Sequence, residues 1–298
     1  MRILRYALLG LVSLAAMFAG PVPVAQAFTF TVNSTGNGDD IDQGDGVCET
    51  APGNGVCTLL AAVQEANHAN NAGLDTIHFS IGTGVQTIIN PGRLGNVTIT
   101  DPVIIDGTTQ PGFAGSPIIE LDGTGQQTVL WITAGGSTVK GLVINRIGHA
   151  GFRLTTNGGN TIQGNYIGTN VDGDAALGIS TLGGILIENS ANNTIGGTAA
   201  GEGNLISGNV RGIWIRKSGA TGNVVQGNLI GTDVNGTADL GNLQDGIWID
   251  GTASNKIGGT AAGAGNVISG NDRDGVRIFS AAATGNVVLA SYFGDSCP

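Results

Sequence analysis

The stretch NTIGGTAAGEGNLISGN at residues 193–209 returns as NKIGGTAAGAGNVISGN at 255–271, a shift of 62 residues. A second pair, ATGNVVQGNLIG at 220–231 and ATGNVVLASYFG at 283–294, is displaced by 63. Self-similarity at a fixed period confines a chain to architectures in which each unit packs on a copy of itself. Each long period divides again. Tetrads of the form Gly-apolar-x-apolar begin at Gly151, Gly184, Gly212, Gly246 and Gly275, at intervals of 33, 28, 34 and 29 residues. The unit is therefore about 31 residues, in two alternating forms. After Gly212, GIWIRKSGATGNVVQGNLIGT holds three short β-type segments before the insertion DVNGTADLGNLQD, whereas in the next unit the insertion TAAGAG falls between the second and third segments.

Three short strands per unit, stacked strand on strand, predict an all-β parallel β-helix. Composition agrees: 53 of 298 residues are Gly and only 8 are Pro, without the Gly-X-Y period of collagen, and β-branched residues fill many remaining positions. The pattern places Ile213, Ile215, Ile247 and Ile249 inward, with Asn165, Asn204, Asn228 and Asn266 at corners, where Asn tolerates a left-handed backbone and its amides can bond from coil to coil. A β-sandwich with accidental internal similarity is the competing fold.

The N-terminus reads as a secretory leader. Arg2 and Arg5 precede the apolar run YALLGLVSLAAMFAG, and AQA at 25–27 has a signal-peptidase pattern, so residues 1–27 are expected to be removed. The mature product, of 271 residues, would be secreted or held at the cell surface. Its formal charge moves from −10 to −12, which argues against general affinity for nucleic acid or anionic membranes. No later apolar run suggests membrane insertion. In an oxidising compartment, Cys48 and Cys57 in CETAPGNGVC favour a local disulfide; free thiols or a metal pair are the alternatives, and Cys297 is left odd. Leu59, Ala62, Val63 and Ala66 share a helical face within CTLLAAVQEANHAN at 57–70. Residues 28–80 then form a cap over the open end of a solenoid spanning 81–298.

FTVNSTGNGDDIDQGDGVCETAPGNGVCTLLAAVQEAN resembles the CSLREA domain of exported bacterial proteins over roughly residues 28–75, and the repeats after residue 100 are similar to those found beside that domain. The resemblance implies right-handed coils and a secreted or surface architecture, without a defined catalytic activity. The chain departs from the naming motif: it reads Cys57, Thr58, Leu59, Leu60, Ala61, Ala62 and lacks the Arg-Glu pair.

Aligning the tetrads puts Arg153, Leu186, Trp214, Trp248 and Arg277 in one outward file, with Thr155, Glu188, Arg216, Asp250 and Phe279 in a second file beside it. Trp214 and Trp248 are candidate ligand-binding residues, a platform for sugar rings of a polysaccharide or cell-surface glycan. Glu188 and Asp250 are candidate catalytic carboxylates roughly 10 Å apart, two coil spacings, with Arg216 between them. Three readings compete: a structural aromatic pair beside a charge ladder, a glycan-binding or adhesin-like module, and a polysaccharide-active lyase or glycoside hydrolase. A lyase would also want calcium-binding acids near a base, and Asp245, Asp250 and Asp274 near Arg216 or Lys217 approximate that loosely. Asp39, Asp40, Asp42 and Asp45 are dense enough to suggest Ca2+, although their spacing misses the EF-hand loop. Asn170, Asp172 and Asp174 align with Asp233, Asn235 and Thr237 in loops that read as Asx turns or, alternatively, calcium loops. His68, His78 and His149 are isolated. Near the C-terminus the repeat fails at Ala290 and Ser291, which leaves Val276, Ile278, Val287 and Val288 without an evident cover; truncation, or self-association through the last coil with Cys297 locking a dimer, are the expectations drawn from this.

Overall fold

The structure is a computed structural model that describes residues 27–68, 73–92, 95–178 and 181–294. The predicted leader and Cys297 lie outside the described residues, Ala27 aside. The chain folds as a right-handed parallel β-helix of three sheets, with nine, seven and eight strands. One coil shows the layout. Gly183–Glu188 lies in the seven-stranded sheet, Thr194–Gly196 in the nine-stranded sheet and Leu205–Ile206 in the eight-stranded sheet, after which Ile213–Arg216 pairs in parallel with the strand where the coil began. All named strand pairs are parallel, so equivalent residues of successive coils stand directly above one another.

The predicted inward positions form continuous stacks. Leu130, Phe152, Ile185, Ile213 and Ile247 follow in register, as do Ile132, Leu154, Ile187, Ile215 and Ile249, and every one of these is 0% exposed. The predicted helix occurs as Leu59–Ala66, opened by Thr58, whose hydroxyl accepts the Ala61 N–H. Thr58 also ties the helix start to the preceding segment, its hydroxyl donating to the Gly38 carbonyl at 2.6 Å. Leu59, Ala62, Val63 and Ala66 are buried in the same core as Ile77, Ile99 and Ile105, so the helix covers the interior at the first coils. Cys48 and Cys57 are disulfide-bonded. The strand Thr29–Val32 pairs with Asp75–Phe79, which pairs with Val103–Asp106, so the cap supplies the first rungs of the nine-stranded sheet.

Corners are fixed by two devices. After the last five strands of the seven-stranded sheet the chain turns through a left-handed residue: Thr156, Asn189, Lys217, Gly251 and Ser280 all have positive φ, between 51° and 86°. Buried asparagines tie the coils together. Asn165, Asn204, Asn228 and Asn266 form the predicted ladder: the Oδ1 of Asn204, Asn228 and Asn266 accepts the backbone N–H and side-chain Nδ2–H of the Asn one coil earlier, and that of Asn165 accepts the Leu142 N–H. Two further ladders run beside it, one through Asn160, Asn193, Asn223, Asn255 and Asn286 and one through Asn209, Asn242 and Asn271.

The long insertions alternate between corners. Residues 197–203 and 259–265 leave the nine-stranded sheet in coils two apart, and the coil between turns tightly at Gly227 (φ +70°), where a Cβ would meet the Gly197 carbonyl. The Gly227 N–H donates to the Ala264 carbonyl at 3.3 Å. At the next corner the loops around Gly173 and Val234, again two coils apart, meet through a Val234 N–H to Gly173 carbonyl bond of 2.9 Å. In the last coil Val276 is half-buried, while Ile278, Val287 and Val288 are 43%, 44% and 37% exposed.

Candidate functional site

The outward file of the seven-stranded sheet is longer than the tetrads indicate. Register carries it through Thr98, Trp131, Arg153, Leu186, Trp214, Trp248 and Arg277, so all three tryptophans of the chain stand in one line. Trp131 escaped the pattern because its coil has Val129 where the later coils write Gly. Leu186 is outward by register yet only 2% exposed, flanked by Arg153 and Trp214. Trp214 and Trp248 are half-buried and stack face to face, with centroids 4.8 Å apart and planes 2° from parallel.

The stack changes what the indoles can offer. Arg216 lies over the Trp214 ring at 4.4 Å and Arg277 over the Trp248 ring at 5.2 Å, while Arg211 sits 4.8 and 4.9 Å from the two centroids. Ring faces are thus taken up by the neighbouring indole and by guanidiniums, an attraction between cation and π-face of about 0.5–2 kcal/mol each. The indole rings of the pair are therefore bordered by cations. Both indole Nε1 atoms and the Arg211 Nε are buried without a hydrogen-bond partner. One step along the file, Arg153 covers the Trp131 ring at 4.7 Å, and the Trp131 Nε1–H donates to the Thr155 hydroxyl at 2.8 Å.

In the second file Glu188, 8% exposed, receives three cations: Arg153 Nη2 at 2.8 Å, Lys217 Nζ at 2.7 Å and Arg216 Nε at 3.5 Å. Burial pushes its pKa up, but hydrogen bonds from Lys217 and Arg153 and their charges outweigh this and hold the carboxyl below its ordinary value. A carboxylate so held is a poor general acid. Register places Arg216 between Glu188 and Asp250, yet among the described residues Asp250 forms no ion pair. Asp245 is fully buried just before the strand Ile247–Asp250, at the end opposite Asp250, and its Oδ2 has only Arg277 Nη1 at 3.9 Å, an ion pair without a hydrogen bond. Burial also depresses the Arg211 pKa, Asp245 opposing and the charges of Arg273 and Arg277 adding. Asp274 is exposed. Asp245, Asp250 and Asp274 therefore do not converge on Arg216 or Lys217, whose ion pairs are with Glu188.

The acid-rich turn is spent on its own backbone. Asp40 accepts the N–H groups of Asp42 and Glu49, Asp45 that of Val47, and Asp39 the Gln64 side-chain amide. Buried Glu65, from the helix, accepts the N–H groups of Gly44 and Gly46; burial raises its pKa, partly offset by those two bonds. The paired loops are closed the same way: Asn170 accepts from Asp174 and Ala175, and Asp233 from Thr237, Ala238 and Asn235. Among the described residues no group of three or more His, Cys, Asp or Glu converges as a metal site, which leaves the expectation of Ca2+ at Asp39, Asp40, Asp42 and Asp45 without a coordination shell. His68, His78 and His149 stand apart, and no helix among the described residues is long and apolar enough to cross a membrane.

Fold and file together define a right-handed parallel β-helix that carries a line of stacked indoles and guanidiniums on one flat sheet. The chain matches no family model and no curated protein.

Proposed function

We propose that the protein is a non-catalytic glycan-binding module of an exported or surface-located protein, with an N-terminal cap of the CSLREA kind, and that its binding face is the seven-stranded sheet. The observation that carries this reading is the line of all three tryptophans with interleaved arginines, in strict register along a rigid sheet. Seven strands at the β spacing give a face roughly 29 Å long, and a repeating surface of that length suits a linear polymer, whose own repeat can meet it many times. Export is supported by the leader-like residues 1–27 and by the disulfide between Cys48 and Cys57. Binding rather than turnover is favoured because Glu188, the candidate acid, is held below its ordinary pKa by the cations around it.

The test is affinity electrophoresis of the purified chain through gels containing soluble polysaccharides, with an assay for new reducing ends and unsaturated products on the same samples. Retardation without product formation is expected. Sustained product formation would overturn the non-catalytic reading, and free migration in every polysaccharide would overturn glycan binding itself.

A further inference from the structure

The cations of this face have an unusual standing. Arg211, Arg216 and Arg277 each lie against an indole, yet none donates a hydrogen bond to any described residue. A guanidinium carries five N–H donors in a planar fork that matches a carboxylate bidentately. Here three guanidiniums are packed against indoles, Arg216 and Arg277 each near one ring and Arg211 beside both, and that packing limits the rotamer freedom left to be lost when a partner arrives. Local charge points the same way. Five of the chain's twelve Lys and Arg (Arg153, Arg211, Arg216, Lys217, Arg277) stand with four acids, Glu188, Asp245, Asp250 and Asp274, along this sheet, a local excess of positive charge in a chain of net charge −10. Two of those cations, Arg153 and Lys217, lie at hydrogen-bond distance from Glu188, whereas Arg216 and Arg277 make only longer ion pairs, to Glu188 at 3.5 Å and Asp245 at 3.9 Å, so the N–H forks of the three indole-stacked guanidiniums keep donors to offer.

We propose that the polymer bound on this face is an acidic polysaccharide, a chain of uronate-type residues whose carboxylates are gripped by Arg211, Arg216 and Arg277. The assignment rests on the glycan-binding reading above and narrows its ligand class. Single-stranded nucleic acid offers phosphates instead, but its binding relies on base stacking against open aromatic faces, and the faces of Trp214 and Trp248 are covered. The overall negative charge also repels a densely charged duplex, whereas three forks at coil spacing need only a local run of carboxylates.

The decisive comparison is one polymer with and without its charge. The full chain is titrated, by intrinsic Trp fluorescence and calorimetry, with polygalacturonate and with the same polymer fully methyl-esterified; a sulfated glycan, poly-glutamate and single-stranded DNA complete the series. Tight, salt-sensitive binding to polygalacturonate and little to the ester is expected. Arg216→Gln and Arg277→Gln should each weaken it roughly tenfold, the loss of one charge-assisted contact. Arg277→Lys, which keeps the charge but not the fork, should recover only part. Lys256→Gln removes the same charge from the nine-stranded sheet and should leave affinity unchanged. Equal or tighter binding of the ester would overturn the acidic class while leaving glycan binding intact, and failure of every glycan would overturn both. Equal affinity for poly-glutamate or DNA, a preference for the sulfated glycan, or an unchanged Arg277→Gln variant would each refute the assignment.

Discussion

The asparagine ladders can be tested at one rung. The Asn223 side chain, fully buried, makes four hydrogen bonds: its Oδ1 accepts the Asn193 N–H at 2.9 Å and Nδ2–H at 2.8 Å, and its Nδ2 donates to the Ala220 carbonyl and to the Asn255 Oδ1, both at 2.9 Å. In Asn223→Ala three of the four partners keep another bond. Asn193 Nδ2 still reaches Ser190, Ala220 O still accepts from the Thr252 hydroxyl, and Asn255 Oδ1 still accepts the residue 223 N–H. Only the Asn193 N–H is orphaned. One buried orphan costs about 1–3 kcal/mol and each bond lost between otherwise satisfied groups about 0.5–1.5 kcal/mol, so the substitution should cost about 4 kcal/mol. That is a large part of the 5–15 kcal/mol typical of a folded domain. At the other end of the ladder Asn286 also accepts two bonds from Asn255, but it is half-buried in the last coil and water can replace it, so Asn286→Ala should cost about 1 kcal/mol. Urea unfolding, combined with hydrogen exchange at the Asn193 amide, measures both. Equal midpoint shifts for the two variants, or an Asn193 amide equally protected in Asn223→Ala, would show that the ladder is not what joins the coils.

Replacing Cys48 and Cys57 with Ala should cost about 2–3 kcal/mol through the entropy of the short loop they close, with the loss of exchange protection centred on Leu59–Ala66; undiminished helix protection would count against it. Because the folded pKa of Glu188 lies below its ordinary 4.5, its ion pairs add stability above pH 4.5 that is lost as pH falls through the lower folded value. Glu188→Gln should therefore flatten the acid limb of the stability curve and lower stability at neutral pH, and an acid limb identical to that of the parent would refute the role given to Arg153 and Lys217.

The repeat made the coil legible because Gly212-Ile-Trp-Ile and Gly246-Ile-Trp-Ile carry both the period and the inside–outside alternation. It announced one ladder of three. Asn193, Asn223 and Asn255 stand in the same repeated stretches, but a corner residue has no periodic partner within its own coil, and only stacking reveals its role. Trp131 was missed because its coil lacks the marker Gly. Lys217 was missed as a Glu188 partner for a different reason: it sits at the left-handed corner (φ 67°), where strand alternation no longer says which way a side chain points. The paired indoles were found, but the loss of their faces to Arg211, Arg216 and Arg277 depends on side chains from three coil positions meeting in space. The acid-rich turn was ambiguous because carboxylates that cap backbone N–H groups look, in sequence, the same as carboxylates that bind metal.

Alternating insertions have a consequence for how such a chain can change length. The tall loops at 197–203 and 259–265 leave the same corner two coils apart, and the tight turn at Gly227 between them touches both. Loops around Gly173 and Val234 use the next corner in the opposite phase and touch across the gap. Deleting a single coil would set two tall loops on adjacent storeys, where a Cβ at Gly227 already meets a carbonyl, while adding one would open a storey that neither loop fills. Adding or removing coils in pairs keeps that alternation, and the 62-residue shift between 193 and 255 is the length of such a pair.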